Sequence, residues 1–185
     1  MSFLTDSMRV KIYEVAGRLN IADPAWLEKL IKFESKFNPS ASNPYSSAKG
    51  LIQVMDSTAR NVFSESSSLA LIQKYPSFDS QMDNVVYPYL KQWKPYNTAQ
   101  SLYMAVFYPQ ARFVDPSTTF MSLYQKYGGA NWSNAYIAFT KSNGAIKKVS
   151  DYVAMVEGTY YIKKGITLLP ILVALGYVIY KKGLL

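Results

Sequence analysis

The residues of this chain best placed to do chemistry are centred on Glu34. Leu27, Leu30, Ile31 and Glu34 are spaced i, i+3, i+4 and i+7, so they share one face of a helix. Asp23-Pro24 suits its start: Asp is a good N-cap, and Pro fits the first turn because its missing N–H would lack a partner there anyway. Asn38-Pro39 ends it. The apolar stripe directs Glu34 inward. A carboxyl removed from water resists ionisation, and its raised pKa is what a general acid needs at neutral pH. The pattern alone also permits a Glu at a frayed helix end that reaches solvent. Asp56 reads as a helix cap, and Glu28 falls on a different helical face from Glu34.

Composition removes several other chemistries. The chain of 185 residues has neither His nor Cys. That excludes zinc amidases and zinc endopeptidases built on His ligands, and any Ser-His or Cys-His nucleophile. The length suits one main domain with its own core. A net charge of +8 suits an anionic partner such as a cell-wall polymer, a membrane surface or a nucleic acid. Residues 1–160 carry 16 basic and 12 acidic side chains; Lys163, Lys164, Lys181 and Lys182 supply the remaining positive charge. The basic residues of the main domain are scattered rather than clustered, which argues against nucleic acid as a partner.

Phe33-Glu34-Ser35-Lys36-Phe37-Asn38-Pro39, then Ser47-Ala48-Lys49-Gly50-Leu51-Ile52-Gln53 and Thr58-Ala59, resemble the soluble lytic transglycosylase family. These are enzymes of lysozyme-like fold, goose-type in character, that cut the glycan strands of bacterial peptidoglycan. The family pattern is Glu-Ser, a short spacer, Asn-Pro, then Gly-Ala-x-Gly-Leu-Met-Gln and Thr-Ala; here Ser47 stands in place of Gly and Ile52 in place of Met. Leu102-Tyr103-Met104-Ala105-Val106-Phe107-Tyr108-Pro109 look like the phage branch, in which a Phe-Tyr-Pro run replaces Ala-Tyr-Asn-Ala-Gly.

The resemblance implies a peptidoglycan lytic transglycosylase with a single catalytic acid and no cofactor or metal. Glu34 would protonate the glycosidic oxygen between N-acetylmuramic acid and N-acetylglucosamine. The same carboxylate would then take the proton of the muramic 6-hydroxyl as that oxygen attacks C1, leaving a 1,6-anhydro end and consuming no water. Ser35 would bond near the carboxyl or the peptide side of the substrate, and Gln53 would meet sugar N-acetyl groups. Phe107 or Tyr108 would line the sugar groove, and Tyr152 would contact Glu34. By residue type alone, Ser35 is also an ordinary helix-end serine and Gln53 an exposed polar residue after a turn. Hydrolysis normally uses two flanking carboxylates. A hydrolytic lysozyme is therefore the alternative, beside a non-catalytic wall-binding or membrane-structural virion protein.

The elements that must position these residues read as mostly helical. Met8, Ile12, Val15, Ala16 and Leu19 predict a first amphipathic helix ending near Asn20. Asp56 or Ser57 would cap a helix through Phe63. From Asp79, the spacing of Met82, Val85, Val86, Tyr89, Leu90 and Trp93 predicts a helix, with Pro88 forcing a kink or two shorter helices. Further helices are expected over 98–108, over 118–127 with Gly128-Gly129 as the stop, and from about Ser150 after an Asn143-Gly144 turn. The Ser- and Asn-rich loop 40–49 suggests a short strand pair.

Gly165–Tyr180 carries no charge and is flanked by Lys pairs. Sixteen helical residues span about 24 Å, and snorkelling Lys with Tyr160, Tyr161, Tyr177 and Tyr180 as interfacial residues would extend the reach across a bilayer. The expected organisation is a catalytic domain over 1–160 and a C-terminal transmembrane anchor over 161–185, in contact with lipid through 165–180. Met1–Arg9 lacks the charged start and apolar run of a signal peptide. An enzyme acting on the wall then has to arrive from outside. The expected setting is a phage virion, its membrane, or the host cell envelope, with other virion proteins as partners.

Overall fold

The computed structural model describes residues 4–143 and 146–159, and the fold is mainly helical. Helix α1 (Asp6–Leu19) is capped by the Thr5 hydroxyl and stops at Asn20 in the left-handed region. Its buried face is Ile12, Val15, Ala16 and Leu19, four of the five residues the periodicity selects. Helix α2 (Pro24–Ser35) starts as its sequence dictates: the Asp23 carboxylate accepts the Ala25 N–H, and Pro24 occupies the first turn.

Next come α3 (Asp56–Phe63) and α4 (Ser68–Lys74). Then α5 (Phe78–Gln81) is capped by Ser77 rather than Asp79. The expected helix divides into shorter elements, with no loop between them, just ahead of Pro88. A π turn over Met82–Val86 precedes it, in which the Tyr87 N–H reaches back to the Met82 carbonyl, and α6 (Tyr87–Lys91) follows directly. The wider turn leaves room beside the ring and no N–H is missed. Asp83 in that turn takes Lys11 at 2.8 Å and Arg18 at 2.7 Å, which ties it to α1.

Helix α7 (Ala99–Phe107) is apolar on nearly every face, with Leu102, Tyr103, Met104, Ala105 and Phe107 all buried. Such a helix belongs in the middle of a core. It packs against α2 and against α10 (Val149–Val156), which also touch each other. One side chain joins all three: Glu157, just past α10, pairs with Lys29 of α2 and accepts the Tyr103 hydroxyl of α7. Helices α8 (Phe120–Tyr127) and α9 (Trp132–Asn143) cover the far side of α7 with an aromatic cluster of Phe107, Tyr108, Phe120, Tyr124 and Phe139. The expected strand pair is reduced to isolated bridges, Ser42 with Lys49 and Lys49 with Val54.

The transmembrane part of the expected fold needs correction. Among the described residues no helix is long and apolar enough to cross a membrane. The segment 161–185, on which the anchor and its lipid contact rested, lies outside the described residues.

Gly50 has a φ of +78°, and a Cβ there would come within 2.7 Å of Gln81 Oε1 and 3.0 Å of Ile72 Cγ2. An L side chain at that φ is strained as well. Gly50→Ala is therefore expected to lower stability by about 2 kcal/mol. Urea unfolding of the purified variant measures this; a loss below about half that value would mean the loop yields easily.

Candidate active site

Helix α2 delivers Glu34 and Ser35 on its last turn, both buried, with Glu34 only 5% exposed. The chain then reverses abruptly. Lys36 and Phe37 both adopt left-handed backbone, φ 54° and 63°. For a bulky residue such as Phe this conformation costs on the order of 1–3 kcal/mol and persists only where packing enforces it. Phe37 is buried in the core, and that burial provides the enforcement.

The opposite wall is the segment 49–54. It is folded back by two backbone hydrogen bonds between Lys49 and Val54, with Gly50 and Gln53 (φ 51°) in left-handed conformation. The two walls are joined directly by the Gly50 N–H donating to the Ala41 carbonyl at 2.8 Å. They are also joined through Gln81, which is 1% exposed. Its amide nitrogen donates to the Pro39 carbonyl at 2.8 Å, and its oxygen accepts the Leu51 N–H at 3.0 Å. Between the walls lies an open pocket of about 120 Å³, lined by Phe33, Glu34, Ser35, Lys36, Ala41, Ser42 and Gln53.

The Tyr152 hydroxyl donates to Glu34 Oε1 at 2.6 Å. Glu34 Oε2 has no partner among the described residues. Burial pushes the Glu34 pKa up to about 7, against the opposing pull of the Tyr152 hydrogen bond. Desolvation is the larger effect, so the carboxyl holds a proton close to neutrality. Tyr152 is itself fixed by rings: Phe107 stacks on it at 3.8 Å and 11°, and Phe33 meets it edge-on at 5.7 Å. Helix α10, which carries Tyr152, is anchored at its start by Asp151, whose carboxylate accepts the Lys147 and Lys148 N–H groups at 2.9 Å each.

The other expected site residues fall into two groups. Ser35 and Gln53 line the pocket with Glu34. The Ser35 hydroxyl donates to the Ile31 carbonyl at 3.0 Å, so its proton is directed into the helix and its lone pairs are what it offers outward. The Gln53 amide nitrogen donates to the Gly50 carbonyl at 2.9 Å, leaving its buried oxygen unpaired as an acceptor. Gln53 is thus 3% exposed rather than a surface residue.

Phe107 and Tyr108 do not line this pocket. Both are core residues, 2% and 0% exposed; Phe107 supports Tyr152, and Tyr108 packs on Phe120 and Tyr124. Nor does Asp56 cap its own helix: Met55 holds that position without a side-chain bond. Its carboxylate instead accepts the Ser68 N–H at 2.9 Å and lies 2.8 Å from the Ser68 hydroxyl, joining α3 to the start of α4. Gln81 is the positioning residue that sequence reasoning missed. A Gln beside an apolar helical face carries no signal that separates a buried bridge from a solvated residue.

Two measurements follow from this geometry. Loss of the Tyr152 hydroxyl removes a bond that favours ionised Glu34, so Tyr152→Phe should raise the Glu34 pKa further. The alkaline limb of the pH profile of kcat/KM should move upward while the rate falls about tenfold; a limb that moves downward contradicts the arrangement. The second concerns stability. The folded state holds the Glu34 proton up to about pH 7, whereas the unfolded chain releases it near 4.5. Stability is therefore greatest below 4.5 and declines as pH rises through that window, by roughly 3 kcal/mol at about 1.4 kcal/mol per pH unit. Glu34→Gln should be more stable than the parent at pH 8, and the difference should vanish toward pH 4 in paired denaturation curves.

Residues 13–84 match the family model for the Transglycosylase SLT domain. No curated protein and no solved structure gives a significant match to the chain. The matched stretch runs from within α1 into the π turn, and it contains every residue lining the pocket as well as Gln81. Tyr152 enters from outside it. The segment that builds the pocket is therefore similar to the transglycosylase SLT domain, and this supports a transglycosylase-type activity on peptidoglycan.

Proposed function

We propose that the protein is a lytic transglycosylase that cleaves the β-1,4 bond between N-acetylmuramic acid and N-acetylglucosamine and leaves 1,6-anhydro-muramic ends. The observation that carries this reading is a buried carboxyl at the wall of an open pocket, with one oxygen held by Tyr152 and a pKa near neutrality. As the acid, Glu34 delivers its proton to the glycosidic oxygen. Departure of that oxygen leaves positive charge at C1, and the carboxylate just formed lies beside it. The carboxylate then accepts the 6-hydroxyl proton as the 6-oxygen closes on C1. One group suffices because the proton leaves and returns to the same place. Gln53, through its unpaired oxygen, accepts an N–H or O–H of the sugar and sets its register.

The carboxylate inventory supports ring closure over hydrolysis. No second Asp or Glu lines the pocket. Asp56 is engaged with Ser68, Glu28 pairs with Arg9, and Glu157 pairs with Lys29. A base for activating water is thus missing from the described surroundings of Glu34. The setting we propose is a phage virion, where the enzyme serves wall penetration or lysis; its support is the Phe107-Tyr108-Pro109 run.

Digestion of purified peptidoglycan followed by borohydride reduction and mass analysis tests the reaction. Anhydro-muramic ends, which resist reduction, are expected as the main product. Predominantly reducible muramic ends would contradict ring closure and indicate a lysozyme. Glu34→Gln should lose at least about a hundredfold in rate, the lower range of general acid catalysis, and retention of a tenth of the activity would remove Glu34 from the mechanism.

A further inference from the structure

Ten of the twelve described tyrosines lie in the core or pack against it. Tyr96, Tyr103, Tyr108, Tyr124 and Tyr152 are among its largest fully buried side chains. Tyr45 is the opposite extreme, 94% exposed, the most exposed of the large apolar side chains among the described residues. No ring stacking or cation contact involves it there, so folding does not explain it.

The backbone beneath Tyr45 is nevertheless well fixed. Asn43 is 4% exposed; its side-chain oxygen accepts the Tyr45 N–H at 2.9 Å, and its amide nitrogen donates to the Ser46 hydroxyl at 2.6 Å. That hydroxyl also accepts the Ala48 N–H at 3.2 Å, and the Asn43 N–H donates to the Ala48 carbonyl at 3.0 Å. Pro44 restricts the turn further. Such a loop presents its tip side chain at little entropic cost on binding. The same loop supplies Ala41 and Ser42 to the pocket of Glu34. Tyr45 follows Ser42 by three residues, a span of at most about 11 Å, so its backbone lies close to that pocket.

We propose that Tyr45 is a substrate-binding residue that stacks its ring on the apolar face of a sugar neighbouring the one cleaved, and so helps to hold the glycan strand across the pocket. A pyranose presents C–H groups on one face, and a flat aromatic ring covers that face without competing for its hydroxyls. This rests on a glycan being the substrate, as proposed above. Tyr45 takes no part in proton transfer; it positions the strand.

The test uses the full chain carrying Glu34→Gln, which binds without cutting, and purified glycan strands in a sedimentation assay. Adding Tyr45→Ala should weaken binding by about threefold to tenfold, the range of a single aromatic stack. Tyr45→Phe, which keeps the ring, should bind within about twofold of the parent. In the active protein, Tyr45→Ala should raise KM and leave kcat nearly unchanged. Equal binding by the parent and Tyr45→Ala overturns the proposal alone, and so does a Tyr45→Phe loss as large as that of Tyr45→Ala. Failure of the parent itself to bind glycan overturns the reading of function and this proposal together.

Discussion

A single hydrogen bond, from Tyr152 to the buried carboxyl of Glu34, gives the rest of the structure its purpose. Burying a carboxyl is costly when it is charged and much less so when it holds its proton. At 5% exposure Glu34 is on the side of the balance where the proton stays, and the 2.6 Å bond from Tyr152 limits how far that goes. The outcome is a group poised near neutrality, able to give a proton and take one back. The Tyr152 hydroxyl also fixes which oxygen is engaged, leaving Oε2 as the one without a protein partner.

Holding two groups from residues 34 and 152 at bonding distance requires long-range order. Helices α2, α7 and α10 supply it. Their common fastening at Glu157 sits near the end of α10, while Asp151 fastens its start, so Tyr152 cannot drift along the helix axis. Stacking on Phe107 prevents rotation of the ring. On the other side of the pocket, Gln81 and the Gly50 N–H hold the two loops together. The left-handed turns at Lys36, Phe37 and Gln53 store strain that this packing opposes. The site is precise because its supports come from the core.

Much of this was legible in the sequence, for identifiable reasons. The helix that carries Glu34 was readable because its apolar spacing, Asp23 cap and Pro24 agree with one another. The pairing of Glu34-Ser35 with Gly50–Gln53 was legible through its resemblance to a family motif, whereas the left-handed turns at Lys36, Phe37 and Gln53 carry no residue signal of their own. Tertiary placement was not. Phe107 and Tyr108 have the composition of a sugar groove, yet α7 lies so deep that both rings became core. Asp56 looks like a cap at short range, and only the arrival of Ser68 twelve residues later gave it a different partner. Helices α4 and α9 begin in Ser- and Asn-rich stretches that carry turn chemistry as readily as capping chemistry, so periodicity alone missed them.

The most direct measurement of the central claim is a carbon-13 NMR titration of the Glu34 side-chain carboxyl, assigned by comparison with Glu34→Gln. A buried carboxyl held by Tyr152 should titrate with a midpoint near 7. A midpoint close to 4.5, the ordinary value, would mean that Glu34 is solvated and ionised at neutral pH, and that the acid on which the mechanism depends is not there.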